Sequence, residues 1–206
     1  MNPPDLRGGS LYGAAVEAFT DLYTQTGQVP TLCDVATRIE AETEELRAMF
    51  PGREDLLAAM AENAMMLLQD QCIQTVVAAD GNDPLAQFEA LGDAYLEWAY
   101  RHPREFRIIG MMPGDKFERS EVLTRYEHGV HEMMLKLLRR AQAMGMLDES
   151  EDLQVTLAVF HTYAYGVASK MLVGDLQRWM PGADPLGTAR MAMRAFSRMV
   201  VPAHHT

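Results

Sequence analysis

Apolar residues recur every three or four positions along almost the whole chain, and no run keeps the two-residue alternation of a strand. That periodicity restricts the fold to helices packed on helices, an all-α protein. Ser10 is placed to cap a first helix whose stripe holds Leu11, Ala14, Ala15, Ala18, Phe19 and Leu22, with Gly27 as its stop. Thr31 opens a short helix carrying Leu32, Val35, Ala36 and Ile39. A second short helix turns Leu46, Met49 and Phe50 inward. Pro51-Gly52 then breaks the chain ahead of a long helix from Arg53 to about Val77. Further on, Asp83-Pro84, His102-Pro103, Met112-Pro113-Gly114, Ser120, Gly145, Ser150 and Asp184-Pro185 mark the ends of later helices, the last ending near Val201. The sum is about nine helices without internal repeat. Three short ones precede six that are mostly longer, which predicts a head over 1–52 and a helical body over 53–206.

With 206 residues, 48% of them hydrophobic, the chain can bury a core without covalent staples. Cys33 and Cys72 have neither metal-site nor redox-motif spacing. No stretch nears the ~18 consecutive apolar residues of a membrane span, and the start MNPPDLRGGS lacks a signal-peptide core. The expectation is a cytoplasmic protein without a membrane partner. Glycine-rich phosphate loops, nucleophile elbows and paired catalytic carboxylates are missing from the sequence, so neither an enzyme nor a cofactor is expected. The sixteen methionines fit an adaptable pocket, and equally a helical core that uses methionine as filler.

Two short helices joined by three or four residues, with a third across them, make a helix-turn-helix unit. Here the sequence also resembles the head of TetR-type bacterial transcriptional regulators. Leu11, Ala14-Ala15 and Phe19 match the spacing of that family's first helix. Thr31 stands at its second-helix cap, and Asp34-Val35-Ala36 resembles its Asp-Ile-Ala triplet. Leu46 and Phe50 match its recognition-helix core. Pro51-Gly52-Arg53-Glu54-Asp55-Leu56 looks like its Pro-Ser-Lys-Glu-Asp-Leu step into the fourth helix. In the second half, Asp83-Pro84, Ala94-Tyr95, Trp98-Ala99 and His102-Pro103 resemble a ligand-domain subfamily, although Tyr165 replaces the histidine of its His-Gly pair before Gly166. The resemblance implies a ligand-responsive regulator that binds operator DNA as a homodimer.

Carried over residue by residue, the implied DNA contacts are Thr31, Thr43, Arg47, Met49 and Arg53. Other positions depart from the family pattern. The turn glycine is replaced by Glu40, the cap serine by Glu42, a small residue by Glu44, a phosphate-binding threonine by Glu45 and, among the contacts just named, a phosphate-binding tyrosine by Arg47. Ten acids against four bases leave residues 1–56 at −6, in a chain of formal charge −11. A carboxylate ~4 Å from a phosphate costs on the order of 1 kcal/mol even when solvated. Two readings stay open. The head binds an unusual operator, or it has lost DNA binding and the protein acts through its body as a small-molecule or protein-binding module. Glu42, Glu44 and Glu45 at a helix N-terminus also complement the macrodipole, which is a purely structural alternative for their presence.

The resemblance further implies an apolar small-molecule effector held among body helices and pairing through the last two. Tyr95, Trp98, Met111, Met112, Met134, His161 and Tyr165 are the candidate pocket residues, combining apolar area with softness or a polar tip. Ordinary core packing would use the same residue types. Small and apolar residues on the last two helices, Ala164, Ala168, Met193 and Phe196 among them, are the candidate dimer contacts. His128 and His131, beside Glu127 and Glu132, stand three apart on one predicted helix. Spacing identifies no further partner for them, so they read as a solvated face and no metal site is expected.

Overall fold

A computed structural model describes the backbone of residues 10–200 and every side chain among them except those of Met111 and Val200. The described residues form eleven α-helices and no strand. These are α1 (Leu11–Thr26), α2 (Leu32–Arg38), α3 (Thr43–Met49), α4 (Arg53–Ala78), α5 (Pro84–Arg101), α6 (Pro103–Met111), α7 (Gly114–Arg119), α8 (Glu121–Ala143), α9 (Leu153–Leu172), α10 (Asp175–Trp179) and α11 (Pro185–Val200). Helices α7 and α10 exceed the expected nine. They hold six and five residues, too few for a 3.6-residue period to be visible in a sequence.

Capping chemistry explains most of the boundaries. The Ser10 hydroxyl accepts the Gly13 amide at 3.1 Å, and Gly27 ends α1 in the left-handed region, φ 68°. Asp83 accepts from the amides of Leu85 and Ala86, with Pro84 at the first helical position of α5. One expected cap is corrected. Asp152, not Ser150, starts α9, accepting from Gln154 and Val155, while the Ser150 hydroxyl donates to Asp148 at 2.6 Å. A carboxylate with two acceptor oxygens adjoining the first turn outcompetes a hydroxyl already engaged elsewhere.

The chain divides into two compact units. The first runs as far as Met66 and includes Arg104–Thr124; the second takes Leu67–Pro103 and continues from Arg125. The head expected over 1–52 thus belongs to a unit that also takes in the start of α4 together with α6 and α7.

In the first unit α1, α2 and α3 pack against one another around Ala15, Phe19, Val35, Ala36, Leu46 and Phe50, all buried. The ring of Tyr12 lies 5.0 Å from that of Phe50. Leu32 and Ile39 are half-buried at the margin of this core. Three polar contacts tie the 104–124 segment to α1 and α4. Arg104 pairs with Asp21 at 3.4 Å, Lys116 pairs with Glu54 at 2.7 Å, and the Ser120 hydroxyl donates to Glu62 at 2.8 Å.

The second unit centres on α5, α9 and α11, which pack mutually. The rings of Phe88 and Phe160 stand 4.4 Å apart, and Phe196 stacks on Tyr163 at 3.8 Å. Gly92 lets α5 approach closely. A Cβ there would lie 3.1 Å from the Phe160 ring and 3.5 Å from Met193. No helix among the described residues is long and apolar enough to cross a membrane.

Candidate nucleic-acid interface and effector region

The helix-turn-helix predicted from Thr31 onward is present as α2 and α3, joined through Ile39–Glu42. Its entry is a full capping box. The Thr31 hydroxyl accepts the Asp34 amide at 3.2 Å, and Asp34 takes the Thr31 amide at 2.8 Å and the Thr31 hydroxyl proton at 2.7 Å. These bonds from Thr31, side chain first and backbone second, hold the Asp34 carboxyl below the usual carboxylate range. The turn bends at Glu40, with φ 55°, a left-handed conformation that glycine adopts far more easily.

The electrostatics of α3 are set by its exposed side chains. Glu44, Glu45, Arg47 and Ala48 all face solvent. The N-cap Glu42 is exposed too, and makes no side-chain capping bond. Arg47 lies 2.8 Å from Glu44, with the two side chains 60% and 79% exposed. A pair this open is worth only ~0–1 kcal/mol, so Arg47 can exchange Glu44 for a phosphate at little cost. Arg53 is exposed in the first turn of α4. Thr43 and Met49 are half-buried at the two ends of α3. Thr31 is exposed, with its hydroxyl proton directed at Asp34. The cations of the expected interface are therefore accessible, set among an excess of exposed carboxylates. Arg38, in the last turn of α2, is a further exposed cation of the head, at a position to which the resemblance assigns no contact.

The expected effector residues separate into groups. Tyr95 and Trp98 are neighbours on α5, with ring centres 6.4 Å apart, and Trp98 is a core side chain. Burial, then the nearby Tyr165 and Cys72, raises the Tyr95 phenol above its ordinary value. His102 adds a ring 6.1 Å from Trp98. Cys72 is itself buried, its thiol pushed up to about 12 by desolvation and so held protonated. Tyr95, Trp98 and Tyr165 thus share a neighbourhood that also includes Cys72 and His102, neither of them among the residues expected from sequence. His102 follows Trp98 by one helical turn and was legible. Cys72 lies on another helix, and no local pattern links it to Tyr95.

The remaining candidates stand apart from that group. Met134 is half-buried on α8 in the same unit, and His161 is exposed one turn before Tyr165 on α9. Met112 is half-buried and belongs to the other unit. The Met111 side chain lies outside the described residues. A groove of about 370 Å³ runs along α5 and α11, lined by Ala86, Glu89, Ala90, Asp93, Met193, Arg194 and Ser197, and none of the effector candidates lines it. It is spanned by the Arg194–Asp93 ion pair at 2.8 Å.

Of the expected dimer contacts, Ala164, Ala168 and Met193 are buried within their own chain, and Phe196 is half-buried on Tyr163. The outward apolar residues of the same helices are others: Val155 and Val159 on α9, Met191 and Met199 on α11. Helical spacing marks two apolar faces on such helices without saying which one the protomer uses itself.

Comparison with known proteins agrees with this architecture. Residues 88–196, more than half of the chain, match the family model described as "Tetracyclin repressor-like, C-terminal domain". No curated protein matches the sequence significantly. Solved structures match over nearly full length. A protein of unknown function from Rhodococcus sp. RHA1 has a TM-score of 0.77 at 21% identity, covering 97% of this chain and 100% of its own. The fatty acid degradation regulator FadR from Bacillus halodurans has a TM-score of 0.74 at 11% identity, covering 97% and 100%. A regulatory protein of the TetR family from Rhodococcus RHA1 has a TM-score of 0.68 at 12% identity, covering 96% and 100%. At these identities the neighbours speak for the fold. The family model adds the lineage of the α5–α11 region, and with a helix-turn-helix ahead of it the chain belongs to the TetR family of transcriptional regulators.

Proposed function

We propose that this regulator works as a homodimer in the cytoplasm, without catalytic activity, binding operator DNA through two heads and changing its grip when an apolar small molecule occupies the body. The observation that carries the DNA part is the exposed side of α3, with Arg47 accessible there and Arg53 accessible at the start of α4. Arg47 and Arg53 meet phosphates, with Thr31 and Thr43 as hydroxyl donors, and Met49 and Ala48 offer apolar contact to a thymine methyl. The effector lies against Tyr95, Trp98 and Tyr165, with Met134 and His161 of the same unit as further lining. Pairing uses α9 and α11 through the faces that carry Val155, Val159, Met191 and Met199. The functional division is then a DNA-binding head over 1–52 and a ligand-binding and dimerisation body over 53–206. An effector shifts the equilibrium only by its differential affinity for the two head arrangements. Within the first unit, polar ties join α6, α7 and the start of α8 to α1 and α4, so these segments belong structurally with the head.

A second reading has its own observation. Glu40, Glu42, Glu44 and Glu45 are all exposed, and Glu44 already occupies Arg47. A head so charged leaves the body as the working part, and the protein becomes a binding module. One titration separates the two readings. Fluorescence anisotropy on DNA fragments flanking the coding sequence, repeated across salt concentrations, is expected to give saturable binding that weakens linearly in log salt. Flat traces on every fragment at low salt would remove DNA binding and leave the body-only reading.

A further inference from the structure

The exposed surface of α8 carries a cluster that neither the proposed DNA interface nor the proposed effector region uses. His128, His131 and Glu132 each offer a donor atom, an imidazole nitrogen from the histidines and a carboxylate oxygen from the glutamate. All three donors lie within 4.8 Å of one another. Spacing alone paired the two histidines and left the third donor unidentified. The helix supplies it, because Glu132 follows His128 by four residues and His131 by one, which brings its carboxylate over the same turn.

We propose that His128, His131 and Glu132 form a three-donor site for a first-row divalent transition-metal ion. Two imidazoles and one carboxylate are the donor set that such ions favour over magnesium or calcium, which take oxygen ligands. At metal–donor lengths of about 2.0–2.2 Å, neighbouring donors around a tetrahedral ion stand roughly 3.4 Å apart. Side-chain rotation closes the remaining distance, at most ~1.4 Å, without moving the backbone. His128 and Glu132 are exposed and His131 is half-buried, so the ion completes its coordination with water.

Two features of the surroundings bear on the strength of the site. The tip of the Gln69 side chain, from α4, lies against Gly129, the residue after His128. Leu135 and Leu138 anchor the following turn in the core. A fixed helix surface spares the ion part of the ordering cost of its ligands. Against binding stands Arg139, whose guanidinium reaches Glu132 at 3.9 Å. That pair is long and open, with side chains 59% and 47% exposed, and an ion bonded directly to the carboxylate displaces it.

The test is calorimetric titration of zinc chloride into the metal-stripped full-length protein. His204 and His205 are first replaced by alanine, because adjacent histidines would add a second zinc-binding element. One zinc per chain is expected. His128→Ala and His131→Ala should each weaken binding about tenfold or more, and Glu132→Gln should weaken it less. Arg139→Ala should tighten binding, because the guanidinium no longer competes for the Glu132 carboxylate. The substituted residues are exposed or half-buried, so circular dichroism should report unchanged helix content. Absence of saturable zinc binding by the parent chain, or binding that survives loss of both histidines, would overturn the site.

Discussion

Glu40 occupies a backbone position for which its side chain is poorly suited. Among the described residues it is the only non-glycine with positive φ, at 55°. Such a conformation costs an L-residue about 1 kcal/mol or more relative to glycine. Glu40→Gly is therefore expected to stabilise the protein by about 1 kcal/mol in urea unfolding. A loss of stability would mean that the glutamate side chain holds the turn through a contact of its own. The α2 capping box makes a pH prediction. Because Asp34 titrates below its unfolded value, its contribution is complete above the ordinary carboxylate range and disappears as pH falls through the lowered folded value. The stability deficit of Thr31→Ala should accordingly be widest near neutrality and shrink in acid; a deficit that is constant down to strongly acidic pH would detach Asp34 from the cap. On α3, Glu44→Ala removes both a like charge and the partner of Arg47. Operator affinity should rise several-fold, and the log–log salt slope should steepen by about one. An unchanged slope would mean that Arg47 meets no phosphate.

Each helix here does one thing that its own sequence announces and another that depends on its neighbours. α5 announces its cap and apolar stripe, and Gly92 looks like a mild defect within it. Against α9 and α11 that glycine is the contact point, so Gly92→Leu should cost about 1–3 kcal/mol by overpacking, read from the urea midpoint. A neutral result would require Phe160 and Met193 to move aside freely. The short helices α7 and α10 show the opposite limit. With six and five residues, their local signal is too weak to register, and packing and capping decide whether a turn becomes a helix. The dimer candidates fail to face outward for a similar reason. Ala164, Ala168 and Met193 are small or apolar residues on helices with two apolar faces, and the structure spends them on the inner one.

For the assembled protein, the outward faces of α9 and α11 make oligomeric state the readout. Val155 and Val159 are one turn apart, 58% and 42% exposed, which is unusual for valines without a partner. Val159→Glu should convert the expected dimer to monomer in sedimentation velocity while leaving helicity intact. It should also weaken operator binding, since two heads on one duplex bind more tightly than one. A dimer that persists would place the interface elsewhere, the α5–α11 groove being the next place to look. Net charge acts at this level as well. At −11 the molecule repels DNA at long range, so any operator complex must draw on short-range contacts around Arg47 and Arg53.

Helix type, most helix ends, the helix-turn-helix and the core of the head were all legible from residue order, because period, caps and breakers act within a few residues of one another. The capping box at Thr31 and the break at Pro51-Gly52 are examples. What residue order left undecided depends on atoms brought together from distant positions. Which apolar face of α9 points inward, that Cys72 joins Tyr95, and that Glu54 pairs with Lys116 rather than remaining a solvated charge are of this kind. Periodicity reports that a helix has a face to bury, and only the neighbouring helices determine which surface receives it.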